Sequence, residues 1–118
     1  MKPRVLIADD VPEILQLLQD YFTAQGYAVT TAETGIEALD AVSTFQPDVI
    51  LLDIRMPGLS GMRVFDTIRR AGLTVPVIAV SGQLPDAREG FFAVFRKPFS
   101  LEDLGRAVAA AVGGHRLR

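Results

Sequence analysis

A chain of 118 residues with 49% hydrophobic and 22% charged content can fill one core and is not disordered. Its net charge of −2 argues against nucleic acid as a direct partner, because binding phosphates takes a basic face. The lack of cysteine excludes disulfides, thiolate metal sites and cysteine nucleophiles, and a lone His115 near the C-terminal end argues against a histidine triad or zinc site. No apolar run is long enough to cross a bilayer, and MKPRVLIADD passes into two aspartates with no signal-peptide apolar region. A cytoplasmic protein with no membrane partner is expected.

RVLIA (4–8) is a short continuous apolar run, as in a strand buried on both faces. Pro12 suits a first helical position, and Ile14, Leu15, Leu18, Tyr21 and Phe22 recur at helical spacing until Gly26. YAVTTA (27–32) predicts a second strand. Thr34 and Glu37 have capping-box spacing and open a helix with Ile36, Ala38, Leu39 and Val42 as its apolar face, ended by Pro47. DVILLD (48–53) predicts strand three, and MPGLSG (56–61) is a loop. Val64, Phe65 and Ile68 mark a third helix that stops near Gly72. VPVIAVS (75–81) and AVFR (93–96) predict strands four and five. Ser100 and Asp103 cap a last, alanine-rich helix to about Val112. Residues 1–112 then form one domain, and 113–118 a tail or the start of a linker. Phe91, Phe92, Phe95 and Phe99 are read as core and loop packing.

Alternating strands and helices with short connections imply an α/β fold, with a parallel sheet covered by helices on both faces. In such a sheet ligands sit at the carboxyl ends of the strands. Asp9 and Asp10 follow strand one there, Asp53 ends strand three, Ser81 ends strand four, and Lys97 follows strand five. Three clustered carboxylates repel one another unless a cation intervenes. Mg²⁺ suits hard oxygen ligands and commonly pairs one or two carboxylates with phosphate oxygens. A carboxylate beside it can attack phosphorus, with Lys97 and Ser81 holding phosphoryl oxygens. Each residue also has a plainer use: Asp10 as a helix cap, Asp53 and Ser81 as turn formers, Lys97 as a solvated charge. Their complementarity on one edge is what four independent turn residues do not need.

LIADD, LLDIRMPGLSG, VIAVSG and FRKPF, in this order from about Arg4 to Val112, resemble the receiver domain of two-component response regulators. The resemblance implies a flavodoxin-like, doubly wound five-stranded parallel sheet of order 2-1-3-4-5. It implies that Asp53 is the phosphoacceptor, loaded by a histidine kinase or histidine phosphotransfer protein. Asp9 and Asp10 match the acidic pair that holds Mg²⁺, with Asp53 and the Arg55 backbone carbonyl as further ligands. Ser81 and Lys97 match the residues that contact the phosphoryl group, and the Lys97–Pro98 bond is usually cis in this family. Such a protein is a phosphoacceptor and not a dedicated enzyme.

Two features depart from the family pattern. The segment between Ser81 and Lys97 is roughly a turn and a half short of a full helix, and it holds Pro85 and two glycines. A shortened or irregular helix is expected between strands four and five. Val94 stands where family members carry Tyr or Phe, with Phe95 beside it on the opposite strand face. These departures point to output through residues 82–92. They also keep open a second reading, a receiver-like interaction module that works without phosphate. Arg55 and Gln83, each two past a site residue, are expected to line the entrance for water and to set the acyl-phosphate lifetime. An aspartate-nucleophile phosphatase needs an acid two residues after Asp53, where this chain has Arg55. An FMN carrier needs a Ser/Thr/Gly phosphate cradle after strand one, which is absent.

Overall fold

The computed structural model describes residues 2–83 and 90–116, with side chains through residue 113. The elements in chain order are β1 (Arg4–Ala8), α1 (Pro12–Ala24), β2 (Ala28–Ala32), α2 (Gly35–Phe45), β3 (Val49–Leu52), α3 (Gly61–Arg70), β4 (Val77–Ser81), β5 (Ala93–Arg96) and α4 (Leu101–Arg116). All strand pairs are parallel, and the order is β2-β1-β3-β4-β5, the flavodoxin-like arrangement expected. Among the described residues, no helix is long and apolar enough to cross a membrane.

The continuous apolar strands divide their side chains between two cores. Val5, Ile7, Val49, Leu51, Ile78 and Val80 pack against Leu15, Leu18 and Phe22 of α1 and Leu104, Val108, Ala111 and Val112 of α4. Leu6, Ala8, Ile50, Leu52 and Val77 pack against Ala38, Ala41 and Val42 of α2 and Val64, Phe65 and Ile68 of α3. Alternation along a strand sends neighbours to opposite faces, so a sheet covered on both sides leaves the interiors of β1, β3 and β4 apolar, with polar residues only at strand ends such as Arg4 and Ser81.

Local chemistry sets most boundaries. The Thr34 hydroxyl accepts from the Glu37 N–H, and the Glu37 carboxylate accepts from the Glu33 N–H. The Ser100 hydroxyl accepts from the Asp103 N–H. Helix α1 gives way to Gly26 at φ +96°, a conformation that glycine adopts without strain. Ser60 caps α3, a signal the sequence reading passed over inside the Pro/Gly loop.

Three expectations change. Ile36 is 71% exposed rather than part of the buried face of α2. The helix turns Gly35, Ala38, Ala41 and Val42 inward, and at 100° per residue Ile36 falls outside that stripe. Helix α4 runs to Arg116 and does not end at about Val112. Glycine in a helix costs about 1 kcal/mol against alanine and does not forbid it, so Gly113 and Gly114 extend the last turns. Phe92 is half-exposed, whereas Phe95 and Phe99 join the α1–α4 core and Phe91 the α2–α3 core. The shortened helix expected between β4 and β5 falls on residues 84–89, outside the described residues; 82–83 and 90–92 on either side carry no helix.

Candidate functional site

Strand order brings the carboxyl ends of β1 and β3 side by side, with Ala8 opposite Leu52 in register. The residues that follow, Asp9 and Asp53, are therefore neighbours, held in place by backbone bonds: Asp9 N–H to the Ala32 carbonyl at 3.0 Å and Asp53 N–H to the Ala8 carbonyl at 2.9 Å. Both side chains are nearly sealed, with residue exposures of 2% and 4%.

The two aspartates use their oxygens in the same way. One oxygen closes the local loop: Asp9 Oδ1 accepts from the Val11 N–H at 2.9 Å, and Asp53 Oδ1 from the Arg55 N–H at 3.0 Å. The other faces Lys97, whose Nζ donates to Asp9 Oδ2 at 2.7 Å and to Asp53 Oδ2 at 3.2 Å. A turn-forming role for Asp53 is thus real, and it coexists with the ion pair. Burial pushes the Asp9 carboxyl above its ordinary range, beyond what the Lys97 and Val11 hydrogen bonds pull back. For Lys97, burial acts to lower the ammonium pKa, but hydrogen bonds and charge from Asp9 and Asp53 outweigh it and hold the group above its usual value.

Asp10 is exposed, yet one of its oxygens lies within 4.8 Å of one from Asp9 and one from Asp53. It does not cap α1, because the N-cap position belongs to Val11, with no side-chain cap bond, and Pro12 opens the helix. Three carboxylate oxygens gathered this closely are the hard donors that Mg²⁺ prefers, so the donor set suits such an ion. Ser81 ends β4 almost completely buried, and its hydroxyl accepts from the Gln83 N–H at 3.4 Å. Lys97 is delivered to the same edge by a bond from its N–H to the Ser81 carbonyl at 2.9 Å. A cis bond precedes Pro98, as the resemblance implies. The Arg55 guanidinium donates to Gln83 Oε1 at 2.8 Å.

One residue of this site was missed in the sequence. A Cβ on Gly61 would fall 2.2 Å from the Asp53 carbonyl oxygen and 2.7 Å from Ile54 Cα. Only glycine lets the first turn of α3 come so close to the backbone that carries Asp53. The signal was present as the glycine directly after the Ser60 cap.

The arrangement is a buried, metal-competent carboxylate held beside an ammonium and a hydroxyl. The family model for the response regulator receiver domain matches residues 5–109. The chain is 37% identical over 114 residues to the transcriptional regulatory protein KdpE of Mycobacterium tuberculosis, covering 92% of this chain and 50% of that one. It is 33% identical over 114 residues to the transcriptional regulatory protein GlrR of Escherichia coli, covering 92% of this chain and 26% of that one. It therefore spans half or less of the length of these curated relatives. Among solved structures, the receiver domain of the Francisella response regulator 1452 superposes with a TM-score of 0.88 at 32% identity, covering 99% of this chain and all of that one. The response regulator protein TrrA of Thermotoga maritima, solved in complex with Mg²⁺-BeF, gives 0.83 at 32% identity, with coverage of 94% and 99%.

Proposed function

Since this chain belongs to the response regulator receiver domain family, we propose that Asp53 is its phosphoacceptor, loaded from a phosphohistidine on a histidine kinase or histidine phosphotransfer protein. The observation that carries this is the Asp53 carboxylate itself, buried at the end of β3, paired with Lys97 and clustered with Asp9 and Asp10. An Asp53 oxygen attacks phosphorus, the phosphorus–nitrogen bond breaks, and its electron pair stays on the donor imidazole. Lys97, 3.2 Å from Asp53 Oδ2, stands where a phosphoryl group on that carboxylate places its oxygens. Among the described residues the Ser81 hydroxyl accepts one long bond, from the Gln83 N–H, and its own proton can be donated to a phosphoryl oxygen. Asp9, Asp10, Asp53 and the Arg55 backbone carbonyl are the residues that would hold Mg²⁺. When bound, Mg²⁺ neutralises charge and orients the phosphoryl oxygens.

All these residues fall within 1–112, which we take as the phosphoaccepting unit of a cytoplasmic two-component protein. Phosphorylation then changes partner binding, and the chain is a switch rather than a dedicated enzyme. Arg55 and Gln83 stand at the rim of the site, so changing either alters acyl-phosphate lifetime; an unchanged decay rate in both variants refutes that role.

The test is intact mass after incubation with acetyl phosphate, with and without Mg²⁺, on the native chain and on Asp53→Asn. A phosphoryl adduct on the native chain with Mg²⁺, and on no other sample, is expected. No adduct under any condition overturns the proposal and leaves an interaction module that works without phosphate.

A further inference from the structure

The Arg55–Gln83 bond is a tie between two loops that both leave the site. Arg55 lies two residues past Asp53, and its own N–H is bonded to the Asp53 carboxylate. Gln83 lies two residues past Ser81, and its own N–H is bonded to the Ser81 hydroxyl. Their side chains meet at 2.8 Å, cation to neutral carboxamide, in an exposed position. The far end of the β4–β5 connection is pinned separately, by Phe91 stacked on Phe65 with ring centroids 4.3 Å apart. Among the described residues, Gln83 therefore anchors the near end of this connection.

We propose that the Arg55–Gln83 hydrogen bond is a latch that a phosphoryl group on Asp53 opens. This rests on the phosphoacceptor reading above. Asp9, Asp10 and a phosphoryl dianion, set against Lys97 and one divalent cation, leave about one negative charge unmatched. Arg55 is the cation on the loop that carries Asp53. At a phosphoryl oxygen the guanidinium meets a full opposite charge and can bond in bidentate fashion, neither of which the neutral carboxamide offers, so it exchanges one partner for the other. The same event draws the Ser81 hydroxyl toward the phosphoryl group and away from the Gln83 N–H. Gln83 thus loses both bonds at once, one to each loop residue that senses the modification. The latch reports the state of Asp53 at the surface between β4 and β5. Val94, the β5 side chain opposite Ala79, has no hydrogen-bonding group with which to do so.

Reciprocity gives the latch a signature that a simple phosphoryl contact lacks. Beryllofluoride with Mg²⁺ serves as the probe, titrated into the native chain, Gln83→Ala and Arg55→Ala, with side-chain NMR of the Arg55 guanidinium and the Gln83 carboxamide. Removing Gln83 removes the exposed hydrogen bond from Arg55 that binding must break, so Gln83→Ala binds about three- to tenfold tighter. Arg55→Ala binds about tenfold weaker. In the native chain, saturation moves the Gln83 carboxamide signals to the positions they hold in unliganded Arg55→Ala. If beryllofluoride binds and signals beside Asp53 and Lys97 shift while those of Gln83 stay, the latch is wrong and the phosphoacceptor reading stands. Gln83→Ala binding no tighter than the native chain overturns it equally. No beryllofluoride binding by the native chain removes the phosphoacceptor reading, and the latch falls with it.

Discussion

At one corner of the sheet edge, Lys97 bridges two buried carboxylates at 2.7 and 3.2 Å, and each carboxylate is also locked to its own loop. At the adjoining corner, Ser81 makes one long contact to Gln83, and Gln83 is held to Arg55 by an exposed hydrogen bond. The first corner is over-determined, because both side-chain oxygens of Asp9 and of Asp53 have a protein partner in a nearly sealed position. The second is held by bonds worth about 1 kcal/mol each, which a change of charge nearby can exchange. Chemistry needs fixed atoms and signalling needs replaceable contacts, and the two sit one strand apart.

The largest expected effect breaks the first corner. Lys97→Ala leaves Asp9 and Asp53 buried side by side without their cation and destabilises the chain by about 3 kcal/mol in chelator, measured by urea unfolding. Millimolar Mg²⁺ recovers much of that loss, since the ion takes over the missing positive charge. A variant as stable as the native chain without Mg²⁺ would show that the bridge holds nothing.

Gly61→Ala strikes the same corner from behind. Its methyl group meets backbone atoms of Asp53 and Ile54, which cannot rotate aside, so about 2 kcal/mol is lost. Adduct formation with acetyl phosphate slows as Asp53 shifts, whereas Gly113→Ala, with open space around its Cβ and no positive φ, leaves that rate unchanged. Equal adduct rates in the native chain and Gly61→Ala would refute the positioning role.

Phe91→Ala tests the second corner. It removes a partly buried ring stacked on Phe65, a ring that the Arg69 guanidinium also covers, 4.9 Å from its centroid. The cost is about 1–2 kcal/mol, below that of a fully buried Phe because one side of the ring is open. Native-like phosphorylation with faster amide exchange at residues 90–92 is expected; slowed phosphorylation would show that the two corners are not separable.

The smallest effect is a pH dependence. The Asp9 pKa is raised, so protons compete with Mg²⁺ above the ordinary 3.8 of an aspartate. Calorimetric Mg²⁺ affinity then falls on acidification sooner than a normal carboxylate pair predicts. Lys97 has the opposite sign. Its folded pKa lies above 10.5, so its contribution is complete below that value and is lost as pH rises through the folded pKa. Stability that holds flat well above 10.5 would contradict this.

Most of the framework was legible because it is local or periodic. Buried strands are continuous apolar runs, the caps of α2 and α4 carry hydroxyls, and parallel order puts Asp9, Asp53, Ser81 and Lys97 on one edge. The misreadings were equally physical. Ile36 has an apolar side chain but the wrong angular position, and Gly113 has low helix propensity in a helix whose preceding turns are packed. Sequence determined which groups meet. Only the tertiary structure decided how they share partners: that one lysine serves two carboxylates, that Gly61 must be bare because a backbone passes 2.2 Å from its missing Cβ, and that Arg55 spends its charge on Gln83. Those depend on distances between segments far apart in the chain, which no residue pattern encodes because several packings satisfy the same pattern.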